Sequence, residues 1–320
     1  FEGNTTLTGT FWIKDGSARM NGDSDTLTVT EDIRLGSGSD AGFFGHNDHD
    51  GAITARALWI EVGTSTFTST EGVLTLNGEL SDYVINNDGV FVHNSGTVTI
   101  TTAATTRIDG AGVSGNQFYN LIINHASAVV EMYSDITVAN NLTITAGQLT
   151  TGTSGFGFSN LTVAGRTDIG PASGSADQAT LTCNTSPISL GSGRTSSYAL
   201  IVNQGGTFAG GSGNHTIGSI ETKNNSNAKC TLTSGVTTID GENASDNYAL
   251  SIEANSTFDD GNGTITITFA GSSRIRFNSK PVYNLIINHA SATIEYVGAT
   301  TIDNDLTVTA GIFRYNSFNN

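Results

Sequence analysis

The chain has 320 residues, of which 39 are glycine and 3 are proline, and its 13 basic and 29 acidic residues give a formal net charge of -16. An acidic chain is repelled by nucleic-acid phosphates and by anionic lipid, so we expect no nucleic-acid partner. The sequence contains no run of the roughly 20 apolar residues that a membrane helix requires, so we also expect no membrane insertion.

Alternating segments predict an all-β protein. Segments such as TLTVT, TVTIT, LTITAG and TITITF place an apolar residue at every second position, which is the period of a strand with one buried face. Charged residues make up 13% of the chain, below the roughly 25% that is usual for soluble domains. We therefore predict a surface made mainly of hydroxyl and amide groups.

In chain order, residues 1–82 match the strand pattern least clearly. The segment TLTVTEDIRLGSG is similar to the later strands, whereas TFWIKDGSARM is not. We predict a less regular N-terminal β region that is continuous with the stack that follows.

This first region contains GHNDHDG, the densest group of potential metal ligands. Aspartates that alternate with other oxygen ligands before a glycine are typical of Ca²⁺ loops, but no glutamate follows at the distance that an EF-hand loop needs. His46, Asp48 and Asp50 are therefore a candidate Ca²⁺ site, and a solvated turn between strands is the alternative. We expect no other cofactor.

From residue 83 the chain repeats itself. The segment YNLIINHASA occurs at Tyr119–Ala128 and again, letter for letter, at Tyr283–Ala292. An aromatic residue followed by Leu-x-Ile or Leu-x-Val recurs with leucines at positions 121, 161, 200, 250 and 285. A second signature, Phe followed five residues later by Gly, begins at Phe91, Phe208 and Phe258. Repeats of short strands separated by Gly, Asn and Asp predict a β-solenoid, because a propeller needs a more constant spacing.

The predicted fold is a parallel β-helix of roughly 20-residue coils, regular over residues 83–320. Such a chain makes about 16 coils, and strands about 4.8 Å apart give a stack roughly 75 Å long. We expect both copies of the repeated segment to occupy equivalent positions of one stack, with leucines inward and asparagines at corners. The predicted structural ladder consists of Leu121, Ile123, Asn124, Leu161, Leu200, Leu250, Ile252, Leu285, Ile287 and Asn288.

The segments FYNLIINHASA, NNLTITAGQL and TFAGGSGNHTI resemble the repetitive Thr/Asn/Gly-rich β-solenoid segments of phage tail fibres and virion surface proteins. They are also similar to segments of bacterial haemagglutinin-like adhesins. The resemblance covers residue 83 to the end and implies an extracellular location, on a virion or a cell-surface appendage. Because SFNN at the end repeats the start of the Phe158–Leu161 signature, we expect either further sequence or a neighbouring subunit there.

Few residues suggest catalysis. Asp259 and Asp260 form an acidic pair, and Asp240 and Glu242 a looser one. Polysaccharide lyases of the pectate lyase family cluster carboxylates on adjacent solenoid coils, but the position of Asp259 holds other residue types in other repeats, which favours a turn. We therefore expect no enzymatic activity.

Histidine and cysteine are two further candidate site-residue types. His125 and His289 occupy the same place in the two copies of the repeated segment, which favours a structural role. Cys183 and Cys230 are predicted to be buried strand thiols, and a disulfide is the alternative if their Cα atoms lie within roughly 7 Å.

These observations favour a non-catalytic structural β-solenoid of an extracellular fibre or virion surface, such as a tail fibre, decoration or attachment protein. It would act as a rigid spacer or scaffold, with copies of itself or other fibre subunits as partners and surface glycans as ligands. A bacterial cell-surface adhesin is the first alternative. A carbohydrate-active β-helix enzyme is the second.

Overall fold

The structure is a computed structural model that describes residues 1–22, 24–46, 50–110, 117–152, 159–172 and 178–315. These residues form strands and turns and no helix, so none of them forms a helix that could cross a membrane. The predicted fold class is confirmed: the protein is a β-solenoid of about 12 turns built from parallel sheets. Two compact units are present, unit 1 (Phe1–Ser159) and unit 2 (Asn160–Asn320).

Unit 1 contains seventeen described strands, most of them three to five residues long. They are β1 (Thr5–Leu7), β2 (Phe11–Ile13), β3 (Gly16–Met20), β4 (Leu27–Val29), β5 (Ile33–Leu35), β6 (Gly42–His46), β7 (Ile53–Ala55), β8 (Leu58–Ile60), β9 (Thr66–Thr68), β10 (Val73–Leu76), β11 (Tyr83–Asn87), β12 (Val90–Val92), β13 (Thr97–Ile100), β14 (Thr105–Ile108), β15 (Asn120–Met132), β16 (Ile136–Val138) and β17 (Leu142–Thr151).

Apart from β16, these strands form three parallel sheets, which are the three sides of the solenoid, and the long strands β15 and β17 each contribute to two of them. Sheet I stacks β1, β4, β7, β10, β13 and the first parts of β15 and β17. Sheet II stacks β2, β5, β8, β11, β14 and the last parts of β15 and β17. Sheet III stacks β3, β6, β9 and β12.

Unit 2 contains sixteen described strands. They are β18 (Leu161–Val163), β19 (Thr167–Ile169), β20 (Ala179–Thr182), β21 (Ile188–Leu190), β22 (Leu200–Val202), β23 (Gly206–Ala209), β24 (His215–Ile217), β25 (Ile220–Thr222), β26 (Lys229–Thr231), β27 (Val236–Ile239), β28 (Tyr248–Ile252), β29 (Thr257–Asp259), β30 (Thr264–Ile267), β31 (Gly271–Arg276), β32 (Val282–Val297) and β33 (Ile302–Tyr315).

Unit 2 has the same three-sided plan. Sheet I′ stacks β18, β21, β24, β27, β30 and the first parts of β32 and β33. Sheet II′ stacks β19, β22, β25, β28, β31 and the last parts of the same two long strands. Sheet III′ stacks β20, β23, β26 and β29.

Coil length varies more than the sequence analysis predicted. Val129 pairs with Gln148, 19 residues later, whereas Thr167 pairs with Leu200, 33 residues later. The roughly 20-residue coil therefore describes the shortest coils. The predicted number of 16 coils was too high, because the longer turns use up chain without adding strands.

The core consists of several ladders of stacked side chains, and each ladder has one residue per coil. The eight aliphatic residues of the predicted ladder are all buried, with 1% of their surface or less exposed: Leu121, Ile123, Leu161, Leu200, Leu250, Ile252, Leu285 and Ile287. In unit 1 an aromatic stack runs beside the aliphatic ladders, through Phe44, Phe67, Phe91 and Phe118, with ring centroids 5.1 to 5.9 Å apart. Burial of these side chains provides the main stabilisation of each unit.

The five repeated leucines do not all lie on the same side of the coil. Leu161 and Leu285 belong to sheet I′, whereas Leu200 and Leu250 belong to sheet II′. The Leu-x-Ile pattern therefore marks a strand that faces the core, on whichever side, because the same alternation serves every sheet. The Phe-to-Gly signature is more specific, since Phe91, Phe208 and Phe258 all lie on sheet III or III′.

The glycine of that signature is required by close approach between coils. A Cβ atom on Gly96 would lie 2.0 Å from the carbonyl oxygen of Thr70, and one on Gly263 would lie 2.2 Å from that of Thr233. No side chain fits such a gap, so glycine occupies the corner where the chain turns from the third sheet into the first.

Two predicted corner asparagines, Asn124 and Asn288, lie where β15 and β32 pass from the first sheet to the second, at shifts in the pairing register. Both side chains are exposed, because the residue after an inward isoleucine points outward. Asn203 is buried and donates to the Gly170 carbonyl oxygen at 3.2 Å, as a corner amide does.

Asn120 and Asn284, the second residues of the two repeated segments, connect adjacent coils by hydrogen bonds. Asn120 accepts a hydrogen bond from Asn140 at 2.9 Å, and Asn284 accepts one from Asn304 at 2.8 Å.

The sequence predicts a change of regularity at residue 82 within one continuous stack, and the structure divides into compact units at Ser159. Strands on both sides of residue 82 pair with one another, since β10 pairs with β13 and β8 with β11. Residues 1–82 therefore build coils of the same plan as the rest of unit 1.

Candidate functional site

The candidate Ca²⁺ residues lie partly outside the residues that the structure describes. Asp48 lies outside the described residues, His46 ends β6 with a side chain that is also outside them, and Asp50 is exposed. In the described part of the chain, no group of three His, Cys, Asp or Glu side chains is placed to hold a metal ion. Ca²⁺ binding at His46, Asp48 and Asp50 stays a prediction.

The acidic residues that suggested glycosidic chemistry stabilise turns by accepting backbone hydrogen bonds. Asp259 is exposed and accepts the backbone N–H of Gly261 at 2.8 Å. Asp260 is buried and accepts the backbone N–H groups of Asn262, at 3.1 Å, and of Tyr283. These bonds fix the backbone at the end of β29, which is a structural use of both carboxylates.

Asp240 and the histidines of the repeated segment are also held by the backbone. Asp240 accepts the N–H of Gly193 at 3.0 Å, which joins two long turns of unit 2. His125 accepts the N–H of Ser127 and His289 that of Ser291, each at 3.2 Å through Nδ1. The two histidines therefore make the same local turn in the two copies.

The two cysteines are buried and do not form a disulfide. They belong to coils that are not adjacent, because β23 lies between β20, which precedes Cys183, and β26, which contains Cys230. Burial raises the pKa of both thiols, that of Cys230 to about 12, so neither is a reactive nucleophile.

The outer surface of sheet I carries a ladder of threonines, which we call the threonine face of unit 1. Its central outward residues pair in register from coil to coil: Thr6, Thr28, Thr54, Thr75, Thr99, Ile122 and Thr143. Sheet I′ repeats the pattern with Thr162, Ser189, Thr216, Thr238, Thr266, Ile286 and Thr307. Neither column contains a charged residue, although the chain carries a net charge of -16.

The outer surface of sheet II is chemically different. Trp12, Arg34 and Trp59 are neighbours in register on β2, β5 and β8. The Arg34 guanidinium carbon lies 4.3 Å from the centroid of the Trp12 ring and 5.8 Å from that of Trp59. These are the only two tryptophans in the chain, and both are partly exposed on one face.

Polar contacts hold this group in place. Arg34 donates through Nε to Glu61 at 2.6 Å, and Trp12 donates through Nε1 to the Gly36 carbonyl oxygen at 2.8 Å. Lys14 lies 4.3 Å from the centroid of the Trp12 ring. Trp12 and Arg34 are therefore oriented before any ligand arrives, which lowers the entropy cost of binding. The Trp59 Nε1, in contrast, is buried without a hydrogen-bond partner among the described residues.

The row of aromatic rings continues along the coils. The Tyr83 ring packs edge-on against Trp59 at 6.4 Å and against Tyr133 at 5.8 Å, and Arg107 lies 5.9 Å from the Tyr83 centroid. Partial burial raises the pKa of the Tyr83 phenol, so it stays a neutral donor. We call these residues the aromatic face: Trp12, Arg34, Trp59, Tyr83, Arg107 and Tyr133.

Part of the aromatic face recurs in unit 2. Tyr83 pairs with Arg107, which pairs with Glu131, and in unit 2 Tyr248 pairs with Arg274, which pairs with Glu295. The pKa of Glu295 is lowered, chiefly by a hydrogen bond from Arg314 and also by Arg274. The positions of Trp12, Arg34 and Trp59 hold Asp168, Ile201 and Glu221 in unit 2.

The aromatic face is not among the sites predicted from the sequence, although a signal was present. FWI, IRL and LWI each place one large or charged residue between two apolar ones, and in a strand that residue must point outward. What the sequence does not show is that the three segments are adjacent. Comparison of the chain with protein-family models, with curated proteins and with solved structures finds no match, so the functional argument rests on these surfaces.

Proposed function

We propose that the protein is a non-catalytic β-solenoid scaffold of an extracellular fibre or virion surface, and that it binds glycan chains through the aromatic face. The observation that carries this proposal is the ladder of Trp12, Arg34 and Trp59, partly exposed on a rigid sheet with Trp12 and Arg34 pre-oriented. A bacterial cell-surface adhesin would use the same chemistry and would differ only in what the chain is attached to.

Aromatic rings suit sugars because the C–H groups of a pyranose pack on a ring face while its hydroxyls remain in water. Large rigid rings with a polar edge contribute most to such contacts. From Trp12 to Tyr133 the face spans five coil steps, which is about 24 Å at about 4.8 Å per step. A row of this length, with one group per coil, fits an extended oligosaccharide better than a compact small molecule.

The threonine faces support the scaffold role. Two copies with a net charge of -16 repel each other, and that repulsion is weakest where neither surface carries charge. Both uncharged columns are flat and regular, so copies of the chain can pack side by side along them. We expect substitution of Thr75 and Thr238 by glutamate to reduce self-association in sedimentation experiments; unchanged association would remove this part of the proposal.

Glycan binding is tested with the purified chain on an oligosaccharide array, followed by calorimetry with the best ligand. Trp59→Ala should weaken binding by about tenfold or more, which corresponds to about 1.4 kcal/mol. Glu221→Ala, at the equivalent position of unit 2, is the matched control and should bind normally. Absence of binding by the parent chain, or equal binding by the Trp59 variant, would contradict the proposal.

A further inference from the structure

A second surface of unit 1 is built around an exposed aromatic residue on sheet III. Phe43 points outward from β6 with 43% of its surface exposed. Its neighbours in register are Ser17 on β3 and Thr66 on β9. An aromatic ring of this exposure, flanked by two hydroxyl-bearing residues, offers an apolar platform with polar groups beside it.

A groove lies next to this ring because a side chain is missing. Gly45 occupies the next outward position of β6, and a Cβ placed there would meet only the Cβ of Arg19, at 3.9 Å. The resulting groove has a volume of about 210 Å³ and is lined by Phe43, Gly45, Arg19, Ser17, Thr66 and Thr68, among others. It is smaller than the roughly 300 to 1,000 Å³ of most ligand pockets, so it holds one ring-sized group.

The groove also contains a cation without an acidic partner. Arg19 is exposed and pairs in register with Gly45. In the part of the chain that the structure describes, its guanidinium makes no ion pair, whereas Arg34 and Arg274 on the other faces each contact a carboxylate. A guanidinium presents planar donors that match a carboxylate, so an anionic group on the ligand would complete this site.

We infer that the groove beside Phe43 is a subsite for a sugar ring that carries a carboxylate, such as a uronic acid within a glycan. The apolar side of the ring packs on Phe43, the carboxylate pairs with Arg19, and ring hydroxyls reach Ser17, Thr66 or Thr68. The inference rests on the proposed glycan binding and adds the sugar class. A chain with a net charge of -16 repels anions overall, so selectivity for an acidic sugar requires a local cation of this kind.

The experiment measures binding of glucuronic acid and glucose to the full 320-residue chain by ligand-observed NMR. These sugars differ only in the carboxylate, and inorganic phosphate is the third probe. We expect glucuronic acid to bind about tenfold or more tightly than glucose, because charge-assisted hydrogen bonds are the stronger kind. Added salt should reduce that preference. Equal binding of the two sugars, or equally tight binding of phosphate, would overturn the sugar class.

Three variants and two controls locate the site. Arg19→Gln should abolish the preference for the acidic sugar. Phe43→Ser should weaken the binding of both sugars, and Gly45→Val should prevent binding by filling the groove. Val236→Ser, which changes another exposed apolar residue, should bind as the parent does. Retained glucuronic acid binding in all three groove variants would overturn the inference.

The second control, Trp59→Ala, separates this inference from the proposed function. It should leave glucuronic acid binding in the groove intact. If Trp59→Ala weakens oligosaccharide binding while the groove variants change nothing, glycan binding stands and the subsite fails. If the parent chain binds no saccharide, both fail.

Discussion

Units 1 and 2 share a core and a threonine ladder, and they differ on one outer face. On sheets II and II′ the fourth and later coils match, with Tyr83 and Arg107 in unit 1 and Tyr248 and Arg274 in unit 2. On the first three coils, Trp12, Arg34 and Trp59 are replaced by Asp168, Ile201 and Glu221.

The comparison of the two units shows which residues the fold requires. Most positions that face the core hold apolar residues in both units, because each must bury its side chain against the next coil. The outward positions of the first three coils hold an acid, an aliphatic residue or an aromatic residue, and Ile201 is buried there whereas Trp12 and Trp59 are partly exposed. The tryptophans of unit 1 are therefore not explained by the architecture, which is why we assign them a binding role.

The largest expected effect is loss of the shared core. Replacing Leu250 by Asp places a carboxylate at a fully buried position and should destabilise unit 2 by several kcal/mol, because an unpaired buried charge is costly or must be protonated. Denaturant unfolding followed by circular dichroism measures this. Asp259→Asn, at an exposed turn, is the control and should change stability by less than about 0.5 kcal/mol; the reverse order would contradict the assignment of inside and outside.

A second comparison uses Gly147 and Gly311, which lie one coil after the repeated segment of each unit. Gly147 and Gly311 have φ angles of 89° and 100°, and a Cβ would lie 2.5 Å from the His125 carbonyl oxygen or 2.6 Å from that of His289. Alanine at either position should cost about 1 to 3 kcal/mol. Gly45→Ala, whose Cβ would meet only the Arg19 Cβ at 3.9 Å, should cost much less, and thermal melting of the three variants ranks them. Unequal losses at Gly147 and Gly311 would show that the two turns are not equivalent.

A third comparison concerns pH. His215 faces the core of unit 2, where its Nε2 donates to the Gly210 carbonyl oxygen at 2.6 Å, and it occupies the place of Ile53 in unit 1. Burial lowers its pKa, so below the usual value of about 6.5 the unfolded chain binds the proton more readily than the folded one. Stability should therefore fall as the pH drops from about 6.5 towards the lowered pKa, by up to about 1.4 kcal/mol for each unit of lowering.

The His215→Ile variant tests this assignment, because it removes the titrating group while keeping the position apolar. Its unfolding free energy should depend less on pH between about 7 and 5 than that of the parent, since the only change is the loss of one histidine whose unperturbed pKa is about 6.5. An identical pH dependence in parent and variant would show that the loss of stability comes from other groups.

The smallest expected effect is on the face where the units differ. Arg34→Ala removes the guanidinium between Trp12 and Trp59 and its ion pair with Glu61. Because these contacts are partly exposed, the loss of stability should be about 1 kcal/mol or less. Denaturant unfolding at low and high salt measures it, and a loss of several kcal/mol would mean that the aromatic face is part of the architecture rather than a site.

The fold was predictable because the alternation of apolar residues is a local property. Leu121 and Leu285 are buried for the same reason that their segments read as strands, and the repeated segment shows that the coils are alike. The candidate Ca²⁺ residues and the acidic pairs were weaker predictors of a functional site, because polar turns also contain such clusters of residues.

By itself, then, the sequence determined the all-β fold class, the inward-facing ladder and the repeat. Only the tertiary structure decided which side of the coil each strand occupies, so that Leu200 and Leu285 lie on different sheets, and which outward residues become neighbours. The physical reason is that register between coils depends on the length of every intervening turn, which varies from coil to coil, whereas inward and outward orientation depends only on the two-residue period of a strand.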